Sequence, residues 1–355
     1  MKRYWRGGSR LTEQEDKHLA VGIRSTAMYL PEQRITSAEI SALSGVPQSV
    51  VETKLGIMQK PIPGLEDHPC EMGIRAAKLA IERAGIDPMD IDVVIYIGEE
   101  YKEYPVWTAA LKLQEEIGAR NAWGFDAALR CGTTIMALKL AKHLMQGDDR
   151  IRHVLLAGGY RNGDLIDYRN PRTRFMFNLG AGGGAILLQK GAGMNVVLET
   201  SLKTDGAFSE DVIVSAGGTK QPVTMEILAA GGPYFDVPDP EGMKRRLEEK
   251  SMANFLEVVR TSVRDSGYRV EDIDFIGILH MKKSAHDYVL EQLGLTSEQT
   301  VYLDHYGHIG QFDPILCLEL GIAEGKIRPG SVVVLVSAGI GYAWGAVTIK
   351  WGDKA

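Results

Sequence analysis

With 355 residues, 45% of them hydrophobic, and a formal charge of −6, the chain is long enough for about two globular units and too acidic for a nucleic-acid surface. No stretch reaches the ~20 uninterrupted apolar residues that a membrane span needs. The three cysteines, Cys70, Cys131 and Cys317, are too few and too odd in number for a disulfide framework, and they suit a reducing compartment.

In chain order, residues 1–20 mix Lys2, Arg3, Arg6 and Arg10 with Glu13, Glu15 and Asp16 and contain no apolar secretion core. They read as an N-terminal extension of a cytoplasmic protein. Ile74, Ala77, Ile81 and Ala84 recur at helical spacing from Cys70 and stop at Gly85, the usual left-handed terminus; the apolar strand Val93–Ile97 follows. Cys131 opens a helical run, Gly132–Gln146, which leads to the strand His153–Ala157. Gly180 to Gly184 runs into the strand Ala185–Leu188 instead of opening a helix, so it predicts close packing rather than a phosphate cradle.

The same series then returns. Met252, Phe255, Val259 and Val263 mark a helix that ends before Gly267, and the strand Phe275–Leu279 runs straight into His280. The loop at His308 leads to a helix from Ile315 to Glu324. The strand Val332–Val336 and a last Gly-rich segment, Gly339–Lys350, close the series. Gly-x-x-x-x-Asp-Ile-Asp precedes the apolar strand in both places, and Asp92 and Asp274 are 182 positions apart, about half the chain. Alternating helices and apolar strands imply sheets covered on both faces. The duplication predicts a layered α-β-α-β-α body of two pseudo-symmetric halves, residues 21–190 and 191–355.

A thiol must ionise to attack a thioester, and an ordinary cysteine is mostly protonated at neutral pH. At the start of a helix, Cys131 gains about 1 kcal/mol for its thiolate, roughly one pKa unit. Further activation calls for a histidine. His280 follows a buried strand. His308 holds the second-copy place of Cys131, 34 residues after Asp274 where Cys131 is 39 after Asp92, so pseudo-symmetry brings the two loops together. Cys70 and Cys317, inside apolar helices, read as core. His305 and His308 suggest a metal pair, but the loop residues between them offer no helical face, so no metal site is assigned.

From about Val21 to Trp351 the chain resembles the β-ketoacyl-ACP synthase III branch of the thiolase superfamily. The resemblance is carried by Tyr29-Leu30-Pro31-Glu32, by Phe125 to Gly132 around the cysteine, by Ile278-Leu279-His280, and by Gly339 to Gly345. It implies a thiolase-like five-layered fold and an acyltransferase that takes an acyl group on Cys131. Backbone N–H groups of Cys131 and Ile340 would form the oxyanion hole. The acyl group would then be condensed with the enolate of a decarboxylated malonyl-type thioester, held by His280 and His308. Neutral histidines donating Nε2–H are expected. The resemblance also implies a homodimer, substrates delivered as coenzyme A or acyl-carrier-protein thioesters with no further cofactor, and a place in fatty-acid, polyketide or related metabolism. Tyr104, Arg130, Lys54 and Lys283 are the candidate substrate contacts.

The chain departs from that family at four places. His308 stands where the branch has asparagine, giving the Cys-His-His set of elongating synthases. Arg130 precedes the nucleophile where a small residue is usual. Val50 and Lys54 replace the adenine-stacking tryptophan and its arginine. Leu256 and Glu257 replace the basic carrier-docking position, leaving Lys244, Arg245, Arg246, Lys282 or Lys283 for that role. A non-decarboxylating acyltransferase or thiolase-type enzyme using the same thiol, and a non-catalytic subunit of the same fold, are therefore the alternatives.

Overall fold

The computed structural model describes residues 5–6, 9–10, 19–340 and 342–352. Most of the N-terminal extension, and Gly341 of the C-terminal glycine loop, lie outside the described residues. No described helix is long and apolar enough to cross a membrane.

The first half contains β1 (Val21–Tyr29), α1 (Pro69–Ala84), β2 (Val93–Tyr96), α2 (Ala109–Ile117), β3 (Trp123–Asp126), α3 (Thr133–Gly147), β4 (His153–Tyr160) and β5 (Gly182–Lys190). The second contains β6 (Val196–Thr204), α4 (Pro240–Asp265), β7 (Phe275–Ile278), α5 (Lys283–Leu293), α6 (Asp313–Ala323), β8 (Val332–Gly339) and β9 (Ala343–Lys350). The hydrogen-bonded order is β7-β8-β9-β6-β1-β5-β4-β2-β3. Read inward from β7 on one side and from β2 on the other, each half has the same sequence of roles, with β3 an additional edge strand of the first half, and the halves join where Val196 of β6 pairs with Gly22 of β1.

The layers follow from which strands each helix covers. α1 lies on β1, β4 and β5, and α2 on β2 and β3; α4 lies on β6, β8 and β9. α3 and α6 each touch strands of both halves, so they form the middle layer of the α-β-α-β-α stack. Three separate apolar clusters match this arrangement, one central and one under each outer helical layer. α3 shows the cause: Ile135, Leu138 and Met145, spaced three to seven apart, are wholly buried in the central cluster. Each contributes about 1.5–3 kcal/mol by leaving water. The glycine run serves packing, since a Cβ at Gly183 would lie 2.4 Å from the Met72 carbonyl oxygen and hold α1 off the sheet.

The repeated Asp has a structural task. Asp92 Oδ2 accepts the N–H groups of Arg152 (2.7 Å) and His153 (2.8 Å), and Asp274 Oδ2 accepts that of Val332 (2.7 Å). Each carboxylate therefore satisfies backbone donors at the start of the neighbouring parallel strand. The glycines end the preceding helices as the pattern predicts, with φ of 64° at Gly85 and 86° at Gly267.

Candidate active site

Cys131 lies between β3 and α3, with Gly132 as the helix cap, so its sulfur sits at the positive end of α3. His308 lies in the matching loop before α6 of the other half. A hydrogen bond between the halves, from Thr134 Oγ1 to the Gln311 carbonyl (2.6 Å), ties the two loops together. The result is a contact of 3.1 Å between His308 Nε2 and Cys131 Sγ. Both side chains are more than nine-tenths buried.

The other face of the imidazole is held by Asp313, the first residue of α6. Its Oδ2 lies 2.5 Å from His308 Nδ1 and also accepts the His280 N–H (2.8 Å), while its Oδ1 accepts the Ile309 N–H (2.7 Å). With no solvent exposure, this carboxylate is compensated entirely by these donors. Burial works against a charge on His308. The Asp313 carboxylate and the Cys131 sulfur outweigh it and hold the imidazole well above the ordinary histidine range. The structure thus departs from the expectation of two neutral histidines: His308 favours the imidazolium, because the Asp313 carboxylate faces one ring nitrogen and the Cys131 sulfur the other.

His280 behaves as expected for a neutral ring. Burial pushes it down to about 4. Its Nδ1 accepts from Asn178 Nδ2 (2.8 Å), which leaves the proton on Nε2, and that Nε2–H donates to the Gly56 carbonyl (2.9 Å). His280 lines the same cleft as Cys131 and His308, but its donor is engaged by Gly56 rather than aimed at the sulfur.

The cleft holds about 290 Å³ and is mostly apolar. Leu55, Phe175, Leu279 and Ile340 wall it, while Leu247, Met252 and Phe255 come from one face of α4, and the exposed Lys282 stands on its rim. Ile340 therefore reaches the nucleophile's cleft. The preceding Gly339 lies so close that a Cβ there would come within 2.9 Å of the Cys131 nitrogen. Ser337 Oγ donates to the Cys131 carbonyl (2.6 Å) and fixes the nucleophile's backbone.

The four candidate substrate contacts fare differently. Arg130 stays near the thiol but is bound to carboxylates, Glu99 at 3.0 Å and Glu100 at 3.1 Å, and its φ of 50° is a left-handed conformation in a non-glycine residue. It lines a neighbouring cavity of about 350 Å³ that shares Ile340 and Tyr342 with the cleft. Burial pushes the Glu99 carboxyl up, against the pull of Arg130. The other three do not line the Cys131 cleft in this chain. Tyr104 is exposed and packs edge-on against Trp107. Lys54 is exposed on a single helical turn, and Lys283 pairs with Asp287 and lies over the Tyr302 ring beside a separate cleft.

Sequence reasoning missed both Asn178 and Asp313. Asp313 had a signal: an Asp-Pro opening a helix five residues after a histidine. Asn178 had none, since it sits in an irregular segment without periodicity. His305 turns away to Asp304 (2.9 Å). Cys70 and Cys317 are buried and face the carbonyls of Ala109 and Ile278.

A family model described as 3-Oxoacyl-[acyl-carrier-protein (ACP)] synthase III matches residues 125–206, and its C-terminal counterpart matches residues 263–351. The chain is 27% identical over 333 residues to the beta-ketoacyl-[acyl-carrier-protein] synthase III of Symbiobacterium thermophilum, covering 94% of this chain and 98% of that protein. Two solved structures share the fold. One is 3-oxoacyl-[acyl-carrier-protein] synthase III from Aquifex aeolicus, with a TM-score of 0.80, 21% identity, and coverage of 93% of this chain and 100% of that one. The other is the priming β-ketosynthase of the R1128 polyketide pathway, with a TM-score of 0.81, 20% identity, and coverage of 94% and 97%.

Proposed function

Because the chain is a 3-oxoacyl-[acyl-carrier-protein] synthase III-like member of the thiolase superfamily, we propose that it is a condensing enzyme acylated on Cys131 that makes a β-ketoacyl thioester. The observation that carries this reading is the buried line of Cys131 Sγ, the His308 ring and Asp313 at the end of an apolar cleft.

In the first stage the Cys131 thiolate, paired with the His308 imidazolium, adds to the carbonyl of an acyl thioester. Backbone N–H groups of Cys131 and Ile340 receive the developing oxyanion. The C–S bond to the carrier breaks, the acyl group stays on Cys131, and the departing thiolate takes a proton from water, so His308 keeps its own. In the second stage a malonyl-type thioester enters and loses carbon dioxide. The electron pair of the broken C–C bond becomes an enolate, which adds to the acyl carbonyl and expels the Cys131 thiolate. An imidazolium at His308 suits that stage, since its Nε2–H can donate to the enolate oxygen. His280 would assist once a substrate oxygen displaces the Gly56 carbonyl from its Nε2–H.

The substrates would arrive as coenzyme A or acyl-carrier-protein thioesters, with the exposed Lys282 as a candidate contact at the rim. A homodimer fits the edge of the sheet. Tyr104 (64% exposed), Val106 (fully exposed) and Leu111 (55%) precede, and Trp123 (51%) opens, the edge strand β3, and a second copy would cover them.

Intact-mass measurement after exposure to a panel of acyl-coenzyme A and acyl-carrier thioesters tests the acylation. The expected adduct disappears in Cys131→Ser. Labelled malonyl thioester then decides the second stage. The engagement of His280 with Gly56 favours one competing reading, a non-decarboxylating acyltransferase in which His308 alone serves as base. Transfer to an alcohol or amine without carbon dioxide release would establish that reading in place of the first.

A further inference from the structure

We propose that Lys60 is a positioning residue for this site: its buried ammonium grips the carbonyls on either side of Asn178 and thereby sets the stance of both histidines. Lys60 Nζ donates to the Phe177 carbonyl at 2.6 Å and to the Leu179 carbonyl at 2.5 Å. Phe177 and Asn178 lie in a turn closed by the Leu179 N–H donating to the Met176 carbonyl at 2.9 Å. Between the two carbonyls that Lys60 holds, that of Asn178 accepts the His308 N–H at 2.8 Å. The next turn locks the match, since the Gly180 N–H donates to the His308 carbonyl at 2.9 Å. From the same residue, the Asn178 side chain donates to His280 Nδ1. One cation therefore fixes the segment from which both imidazoles are held.

The packing leaves no slack in this arrangement. A Cβ at Gly307 would lie 2.3 Å from the Asn178 carbonyl oxygen and 3.1 Å from Lys60 Cβ, so the His308 loop, the Asn178 segment and Lys60 are in direct contact. Lys60 is 1% exposed and makes no ion pair among the described residues; the Tyr168 ring lies 5.5 Å from its ammonium. A lysine buried without a carboxylate is costly, and here burial pushes it down to about 7. A neutral apolar side chain would avoid burying a charge, but it would leave the Phe177 and Leu179 carbonyls unpaired and free to turn. The lysine is explained by the geometry it imposes.

This role presupposes the Cys131–His308 pair proposed above, and the test reads that pair directly, whichever reaction follows. The rate of Cys131 alkylation by iodoacetamide is measured against pH on the full chain. The groups facing the pair are Asp313, Tyr160, Glu99, Arg130, His280 and Tyr342, and none of them is substituted. Lys60→Met is expected to move the rising limb of the profile up by about one pH unit, which makes alkylation on that limb roughly tenfold slower. Leu113→Ala, a cavity in the outer layer, should lower the melting temperature and leave the profile where it was. If Lys60→Met does not fold, Lys60→Gln, which keeps a donor but loses the reach to both carbonyls, is read in the same way. A profile identical to that of the unsubstituted protein overturns the role of Lys60. Absence of preferential Cys131 alkylation in the unsubstituted protein overturns the paired-thiol reading instead.

Discussion

The Cys131 sulfur lies 3.1 Å from Nε2 of His308, a residue 177 positions away in the other half of the molecule. Because Asp313 stands behind that ring and holds it well above the ordinary histidine range, His308 presents a cation to the Cys131 sulfur. Limited iodoacetamide treatment near pH 6.5 should therefore modify Cys131 and spare Cys70 and Cys317. Burial pushes the Cys70 thiol up to about 12 and holds Cys317 well above its ordinary range. Peptide mass mapping checks this. Substituting His308→Ala should slow the Cys131 reaction at least about tenfold, the effect of one pKa unit.

Asp313→Asn should be more damaging than its isosteric shape suggests. The carboxylate accepts two backbone N–H groups and the His308 ring, and an amide must turn an N–H₂ toward one of those donors. The cost is about 2–4 kcal/mol, the range for losing charge-assisted hydrogen bonds in a buried site. A melting curve should show a fall of several degrees, and acylation of Cys131 should be lost in the folded fraction.

His280 and His286 make the fold sensitive to mild acid. Burial pushes each down to about 4, below the ~6.5 of an unfolded histidine. The unfolded chain therefore binds more protons between these values, so stability is complete above about pH 6.5 and falls as the pH drops toward 4. Each ring contributes up to roughly 3 kcal/mol over that window. His286 Nδ1 has no hydrogen-bond partner among the described atoms, so His286→Phe removes a titrating group without stranding a donor on Nδ1. Its melting temperature should depend less steeply on pH between 6.5 and 4, as measured by calorimetry.

The apolar patch beside β3 predicts the assembly state. Trp123→Glu or Val106→Glu should yield monomers by light scattering, with the far-ultraviolet spectrum unchanged. A dimer that persists in both variants would place the contact elsewhere on the surface.

Much of the architecture could be read from the chain because duplication leaves regular traces. Asp92 and Asp274, Gly85 and Gly267, and the apolar strands after them recur at one offset, and each pair does the same job in the fold. Cys131 and His308 could be matched because each precedes a helix of the central layer. What escaped lies in irregular backbone. Asn178, and Lys60 in a three-residue strand, are brought to the site by tertiary packing alone, and neither helical nor strand periodicity marks them. The protonation of His308 escaped for a related reason. Burial by itself predicts a neutral ring, and the opposing carboxylate comes from α6, five residues further on.

The direct β6–β1 pairing between the halves is slight, Val196 with Gly22, together with an exchange between Ile23 and Asn195. Most of the remaining cohesion comes from α3 and α6, wedged between the two curved surfaces. A sideways slip of about one ångström along that wedge would pull Cys131 and His308 apart while the strands within each half stayed fully zipped. Chemical silence would thus precede any loss of shape, and a preparation with a native spectrum could still be inert.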